Sequence, residues 1–278
     1  MNDAGAHITA KNRFFVSAVL SWADRRNALC ERHFGDWLIM VTKGGRTRFL
    51  EWYDIGLNSS TNYLIAKDKS GTTWILDRHG VPAVEHFLVL RPDSQGWTQA
   101  QDEAQRIFTD RVGFPLVLKP NTGTNGNDVY KVDTMHELDA TLTTLFETER
   151  AIALSPFIRV VKEYRVTVLD GEVLLAYAKL QDTRADFRFN LSHGATVADI
   201  TDDELARVSP LAKNAMRALT MRFANVDIVL DEVGALFVLE VNGGVAFEKY
   251  SLVSDEHRTR AQAVYDSALD ALFGILRT

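Results

Sequence analysis

A single cysteine, Cys30, stands among 278 residues. No disulfide can form within the chain, and no cysteine-built zinc site is available. Long apolar runs are missing as well. The strongly apolar stretch near the start, residues 14–20, is too short to cross a bilayer. The residues before it lack the charged, apolar, small-residue order of a secretory signal, so a cytoplasmic location and no membrane partner are expected. Nor is there a basic excess: 31 Lys and Arg against 37 Asp and Glu give a net charge of −6. That balance excludes a dominant polyanion-binding role, so no nucleic-acid partner is expected. Tandem repeats and low-complexity tracts are absent. What is there, 46% hydrophobic and 24% charged residues, is the material of an ordinary globular protein with a sizeable core. The length suits one elaborate domain or two to three interlocked lobes.

Along the chain, residues 14–20 read as a strand, 22–34 as a helix with one charged face, and 37–42 as a strand. Lys43-Gly44-Gly45-Arg46 is a tight-turn signal. Residues 63–78 have helical spacing and end at His79-Gly80-Val81-Pro82, where glycine then proline hand a helix over to extended chain. Residues 99–112 read as a second helix closed by Gly113, and 114–119 as a short strand. Thr134 with Glu137, and Thr201 with Glu204, fit the capping-box spacing, so helices should begin just after each threonine. A last helix is expected over 255–276. Strands 164–169 and 173–179 flank Asp170-Gly171, and 226–230 and 235–241 flank residues 231–234; both read as hairpins. Helices mixed with hairpins, without regular βαβ alternation, indicate an α+β protein of several lobes.

Four groups of residues carry chemistry. In the first, a strand delivers Lys119 and Pro120 into the small-residue loop Asn121-Thr122-Gly123-Thr124-Asn125-Gly126. Small residues let backbone N–H groups approach phosphate oxygens, and the ammonium adds a point charge. The lysine precedes the glycines, so this is not a P-loop; an ordinary hairpin with a surface lysine would look the same. In the second, Glu240 and Asn242 lie two apart on a strand and share a face, and the hairpin returns Asp227 to them. Two carboxylates and an amide oxygen suit magnesium, and equally a solvated strand end. In the third, Glu163 and Arg165 share a face. A strict two-residue turn at Asp170-Gly171 would put Lys179 on the opposite face, whereas a bulge would bring it to theirs. The fourth, residues 186–194 with Arg188, Asn190 and His193, could bind an anion or be a solvated loop.

The order of these pieces resembles the ATP-grasp superfamily over residues 58–242. It runs Lys69, Lys119 with its loop, Ser155-Pro156-Phe157-Ile158, Glu163-Tyr164-Arg165, Lys179, Asp227, then Glu240-x-Asn242. Residues 186–194 before a helix near Thr201 are most similar to the ribosomal-protein glutamate ligase branch of carboxylate–amine ligases. The resemblance implies an ATP-grasp fold with ATP between two α+β lobes. It implies a shortened N-terminal lobe (1–66), a linker and helical part (67–113), a small lid lobe (114–153) and a C-terminal lobe with the metal site (154–278).

It also implies roles. ATP would lie with its adenine by Leu154, Ser155 and Phe157, its phosphates by Lys69, Lys119 and the loop Thr122, Gly123, Thr124, Asn125 and Gly126. Mg²⁺, or Mn²⁺, would sit on Asp227, Glu240 and Asn242. Arg165, Lys179, Arg188 and Asn190 would be catalytic, steadying charge while an acyl phosphate forms and an amine attacks it, with ADP and phosphate released. Arg159 stands where a ribose-holding acid is common, which leaves Glu163 as the nearest substitute. The sequence after Asn242, Gly243-Gly244-Val245-Ala246, departs from the Ser-Pro-Gly type of the glutamate ligases. The expected function is therefore amide or peptide bond formation in small-molecule or peptide biosynthesis. Its substrates would be a carboxylate and an amine, free or bound to a peptide or carrier protein. The alternatives are phosphate transfer to a hydroxyl, ester or thioester formation, and a non-catalytic ATP-binding module. A homo-oligomer is compatible with the sequence.

Overall fold

The computed structural model describes residues 13–122, 128–180 and 196–275. Its first element corrects two expectations. Residues 14–20 are not a strand but the start of helix α1 (Phe14–Arg25). Phe14, Phe15, Ala18, Val19 and Trp22 fall on one face at helical period and are buried. The Glu248 carboxylate accepts the otherwise unpaired N–H groups of Phe14 and Phe15 at the helix start. Residues 22–34 are not one helix: α1 stops at Arg25, Asn27 turns with φ 50, and β1 (Leu29–His33) follows. The charges of β1 belong to a largely exposed strand, not to a helix face.

Strands β2 (Leu38–Lys43) and β3 (Arg46–Glu51) form the hairpin expected at Gly44-Gly45 and complete the sheet β1-β2-β3. The span 63–78 divides into α2 (Ser60–Lys67) and α3 (Lys69–Arg78). Asp68 takes extended backbone between them (φ −84, ψ 102), and its carboxylate accepts from Gly71 N–H. This break makes Lys69 the first residue of a helix.

A second sheet, of order β4-β7-β5-β6, is built from β4 (Phe87–Leu90), β5 (Leu116–Pro120), β6 (Tyr130–Val132) and β7 (Ala151–Pro156). Helices α4 (Gln99–Val112) and α5 (Met135–Leu145) cover it, burying Phe108, Leu138 and Leu142 against Leu116, Leu118 and Ile152. The third sheet, β10-β9-β8-β11-β12, holds β8 (Val160–Leu169), β9 (Glu172–Leu180), β10 (Thr196–Ala198), β11 (Phe223–Asp231) and β12 (Leu236–Asn242). Helix α6 (Asp202–Ala218) packs on one face through Val208, Ala212 and Met216. Its Thr201–Glu204 capping box is complete. At the Thr134 end of α5 the threonine caps Glu137 N–H, but the glutamate reaches back to Asp133 N–H instead.

The other face is covered by α1 and α7 (Asp255–Phe273), which ends at Gly274 with φ 68. Phe15 and Trp22 of α1, and Ile39 and Leu50 of the first sheet, share one core with Tyr177, Phe223 and Tyr265. The first sheet thus rests on the C-terminal half of the chain. Extended residues after α3 join the third sheet: Val84 N–H donates to Val238 O (2.8 Å) and Val238 N–H to Pro82 O (2.9 Å). No helix among the described residues is long and apolar enough to cross a membrane.

Candidate active site

Two lysines reach the site from different elements. Lys69 opens α3, and Lys119 sits near the end of β5 opposite Ala153 of β7; each is 8% exposed. Burial pushes the Lys119 ammonium down to about 8; Lys69 lowers it further, while Glu240 and Glu163 act the other way. Burial also lowers Lys69, with Glu240 and Asp68 opposing. Buried ammoniums that repel each other favour an anion able to touch both, and a polyphosphate has that shape and charge. Leu154 is fully buried in the second sheet and Ser155 nearly so. Phe157 N–H donates to Pro115 O at 3.1 Å, and Lys131 lies 5.3 Å from the Phe157 ring centre. Thr122 is exposed at the edge of the described chain. Gly123, Thr124, Asn125, Gly126, Arg188, Asn190 and His193 lie outside the described residues.

The third sheet supplies an ionic array on one face. Asp227 pairs with Arg165 of β8 on one side and with Glu240 of β12 on the other. Glu163 pairs with Lys179 of β9. Both of the pairs that involve Lys179 and Glu240 depend on a bulge. On β9 the register passes from Val168↔Val173 to Thr167↔Leu175, leaving Leu174 as the extra residue. On β12 it passes from Ile228↔Val238 to Asp227↔Glu240, leaving Leu239. Because strand side chains alternate, an unbulged strand would turn Lys179 and Glu240 to the other face. The structure thus decides the question left open at Asp170-Gly171 in favour of the bulge.

Asp227 is wholly buried and takes Arg165 bidentately at 2.8 and 2.7 Å, with Lys179 Nζ at 3.2 Å. Burial alone would raise its carboxyl; Arg165 and Lys179 outweigh that and hold it well below the usual range. Glu163 accepts from Lys179 and is pushed upward by burial and by Asp227. It lies in this array, where it is bound to Lys179.

The donor set of the third sheet fits a hard cation. Asn242 Nδ2 stands 3.2 Å from Asp227 Oδ2 and 3.1 Å from Glu240 Oε1, so the amide already spans the two carboxylates. Turning that amide over presents its oxygen beside theirs, the all-oxygen environment magnesium prefers. Asp227 would share its oxygens with Arg165 and Lys179.

Two residues here, His86 and Tyr63, were not expected from the sequence, and a third, Asn121, was read only as the start of the small-residue loop. Asn121, 3% exposed, ties the end of β5 to α3. His86, also buried, holds Thr73 Oγ1 at 2.9 Å through Nδ1, and its Nε2 has no hydrogen-bond partner among the described residues. Burial, then Lys119 and Lys69, push its imidazole well down, so it is neutral. Tyr63 lies on Gly243, where an added Cβ would come within 2.7 Å of Cδ2. Asn121 stands in the loop motif two residues after Lys119, but nothing in the sequence around His86 or Tyr63 marks them.

The chain is similar to known proteins in sequence and in fold. A D-alanine–D-alanine ligase of Deinococcus radiodurans is 29% identical over 199 residues, 68% of this chain and 58% of that protein. A ribosomal protein bS6–L-glutamate ligase of Escherichia fergusonii is 30% identical over 197 residues, 69% of this chain and 60% of that protein. The chain therefore spans 58% and 60% of the length of these two curated relatives. Among solved structures, the D-alanine–D-alanine ligase of Bacillus anthracis complexed with ATP matches with a TM-score of 0.54. It is 22% identical, over 74% of this chain and 67% of that one, and it shares the fold. The RimK-like ATP-grasp domain matches residues 66–257, which hold both lysines, the ionic array and the three oxygen donors. The chain belongs to the RimK-like ATP-grasp family.

Proposed function

We propose that the protein is an ATP-dependent carboxylate–amine ligase that forms an amide or peptide bond through an acyl phosphate. The observation that carries the reading is electrostatic. The Glu240 carboxylate of the third sheet acts on the charge of both Lys69 of α3 and Lys119 of the second sheet, which supports a shared space for phosphates and a metal ion. Lys69 and Lys119 hold the phosphates, with Leu154, Ser155 and Phe157 beside the adenine. Asp227, Glu240 and Asn242 hold Mg²⁺, which when bound neutralises charge on the transferred phosphoryl group.

A substrate carboxylate oxygen attacks the γ-phosphorus, the bond to the bridging oxygen breaks, and ADP leaves. The amine nitrogen then attacks the acyl carbon, phosphate departs with the bonding pair, and the nitrogen loses a proton. Arg165 and Lys179 hold Asp227 in place and offset the carboxylates of the array while charge builds on the transferred group. The segments divide the work as an N-terminal part (1–66), a connecting part (67–113) and a lid (114–153) that both contribute strands to the second sheet, and a C-terminal lobe (154–278). Relatives named for joining D-alanine to D-alanine, or L-glutamate to a ribosomal protein, support an amino acid or a peptide-borne group as one substrate. The setting is cytoplasmic biosynthesis.

Glu240→Gln and Lys119→Ala should each cut acid- and amine-dependent ADP release by about 100-fold or more, with the circular dichroism of the fold retained. Wild-type ADP release in either variant contradicts the role given to that residue.

A further inference from the structure

We propose that Asn121 is a positioning residue that sets the spacing between Lys69 and Lys119. The inference rests on the reading of both lysines as phosphate ligands. Every polar group of Asn121 is engaged, and the partners lie on two elements. Its N–H donates to Ala151 O of β7 at 3.0 Å, fastening it to the second sheet. Its carbonyl accepts from Lys69 N–H at 3.1 Å. Oδ1 accepts from Ser70 N–H at 3.1 Å and Ser70 Oγ at 3.0 Å, and Nδ2 donates to Asp68 Oδ1 at 2.8 Å. The same Asp68 oxygen caps α3 through Gly71 N–H at 2.8 Å.

Asn121 thus holds the start of the helix that Lys69 opens, its side chain binding Asp68 and Ser70 and its carbonyl binding Lys69. On its other side, Pro120 alone separates it from Lys119, and the proline ring fixes φ there. The path from one lysine backbone to the other therefore crosses one rigid residue and one fully bonded amide. Asparagine suits the position because it must accept from Ser70 and donate to Asp68 at once. An aspartate could not donate and would set a second carboxylate against Asp68. An alanine would take the Oδ1 acceptor away from the buried Ser70 N–H and Oγ and leave Asp68 Oδ1 with Gly71 N–H alone. Neither change touches the lysines.

The test is calorimetric titration of the full chain with Mg-ATP, in wild type, Asn121→Ala, Asn121→Ser, Lys69→Ala and the Asn121→Ala/Lys69→Ala double variant. Thermal unfolding checks that each is folded at the titration temperature. Asn121→Ala is expected to weaken binding about tenfold, and to add nothing further once Lys69 is already alanine. A purely structural role would not produce that loss of effect. Wild-type affinity in Asn121→Ala, or additive losses in the double variant, overturns the proposal. Wild-type affinity in Lys69→Ala overturns the phosphate reading itself, and the proposal with it. Asn121→Ser is read in place of Asn121→Ala if the latter fails to fold, and failure of both assigns Asn121 to folding and overturns the proposal.

Discussion

Glu163 and Lys179 meet across β8 and β9 because Leu174 is bulged out of the ladder between them. Both are buried, and the lysine also reaches Asp227. Removing the lysine alone leaves two carboxylates with one guanidinium among them. Lys179→Met should cost about 3–5 kcal/mol of stability, while pairing it with Glu163→Gln should restore part of the loss. Urea unfolding reads both; a single variant as stable as wild type contradicts the account.

ATP affinity should fall as pH rises through about 8. The free Lys119 ammonium is held down to about 8 by burial and by Lys69, against Glu240 and Glu163. A bound phosphate favours the charged lysine, so binding takes up a proton above that pH. Affinity should drop toward about tenfold per pH unit beyond it. Lys119→Arg stays charged and should flatten the profile even if it binds more weakly. Unchanged wild-type affinity from neutral to strongly alkaline pH would refute this role for Lys119.

Glu204 joins α6 to β8. Its carboxylate accepts from Tyr164 Oη at 2.9 Å, from Lys162, and from Thr201 N–H at 2.9 Å. Burial would raise the group, but these bonds outweigh it and hold it at about 2. A lowered carboxyl contributes stability that is complete above its ordinary value of 4.5 and is lost as pH falls from there toward 2. Glu204→Ala should cost about 1–3 kcal/mol at neutral pH, and less as the medium is acidified through that window. Thermal melts across that pH range check it, and a loss independent of pH contradicts it.

Gly243 follows the candidate ligand Asn242 and lies beneath Tyr63. A Cβ there would meet Tyr63 Cδ2 at 2.7 Å and Met221 Cε at 3.2 Å. Gly243→Ala should therefore cost about 1–3 kcal/mol, with much of it recovered when Tyr63 is shortened to alanine. Melting temperatures of the two single variants and the double variant decide it. No recovery in the double variant would place the strain elsewhere.

The hairpins at Gly44-Gly45 and Asp170-Gly171, the helix 99–112 and the starts at Thr134 and Thr201 were legible because their signals are local. Helix α1 was not: its period becomes visible only when the window extends to Trp22, and its start is capped by Glu248, distant in sequence. The break at Asp68 was hidden because a capping aspartate fits helical spacing on both sides of it. Lys119, Asp227, Glu240 and Asn242 could be picked out as chemistry-bearing residues by type and order. That Lys179 and Glu240 face the others depends on bulges at Leu174 and Leu239, which arise in the assembled sheet. Asn121 and His86 draw their partners from separate segments, so only the folded chain shows what they touch.

The most direct measurement is a hydroxylamine trap with the intact protein, Mg-ATP and pooled amino acids, peptides and other carboxylic acids. Mass spectrometry would identify any hydroxamate, while chromatography would quantify ADP and AMP. The account predicts a hydroxamate of one acid class, formed one-for-one with ADP and lost in Glu240→Gln. Formation of AMP in place of ADP, or ADP release with no hydroxamate from any acid that stimulates it, would contradict an acyl phosphate.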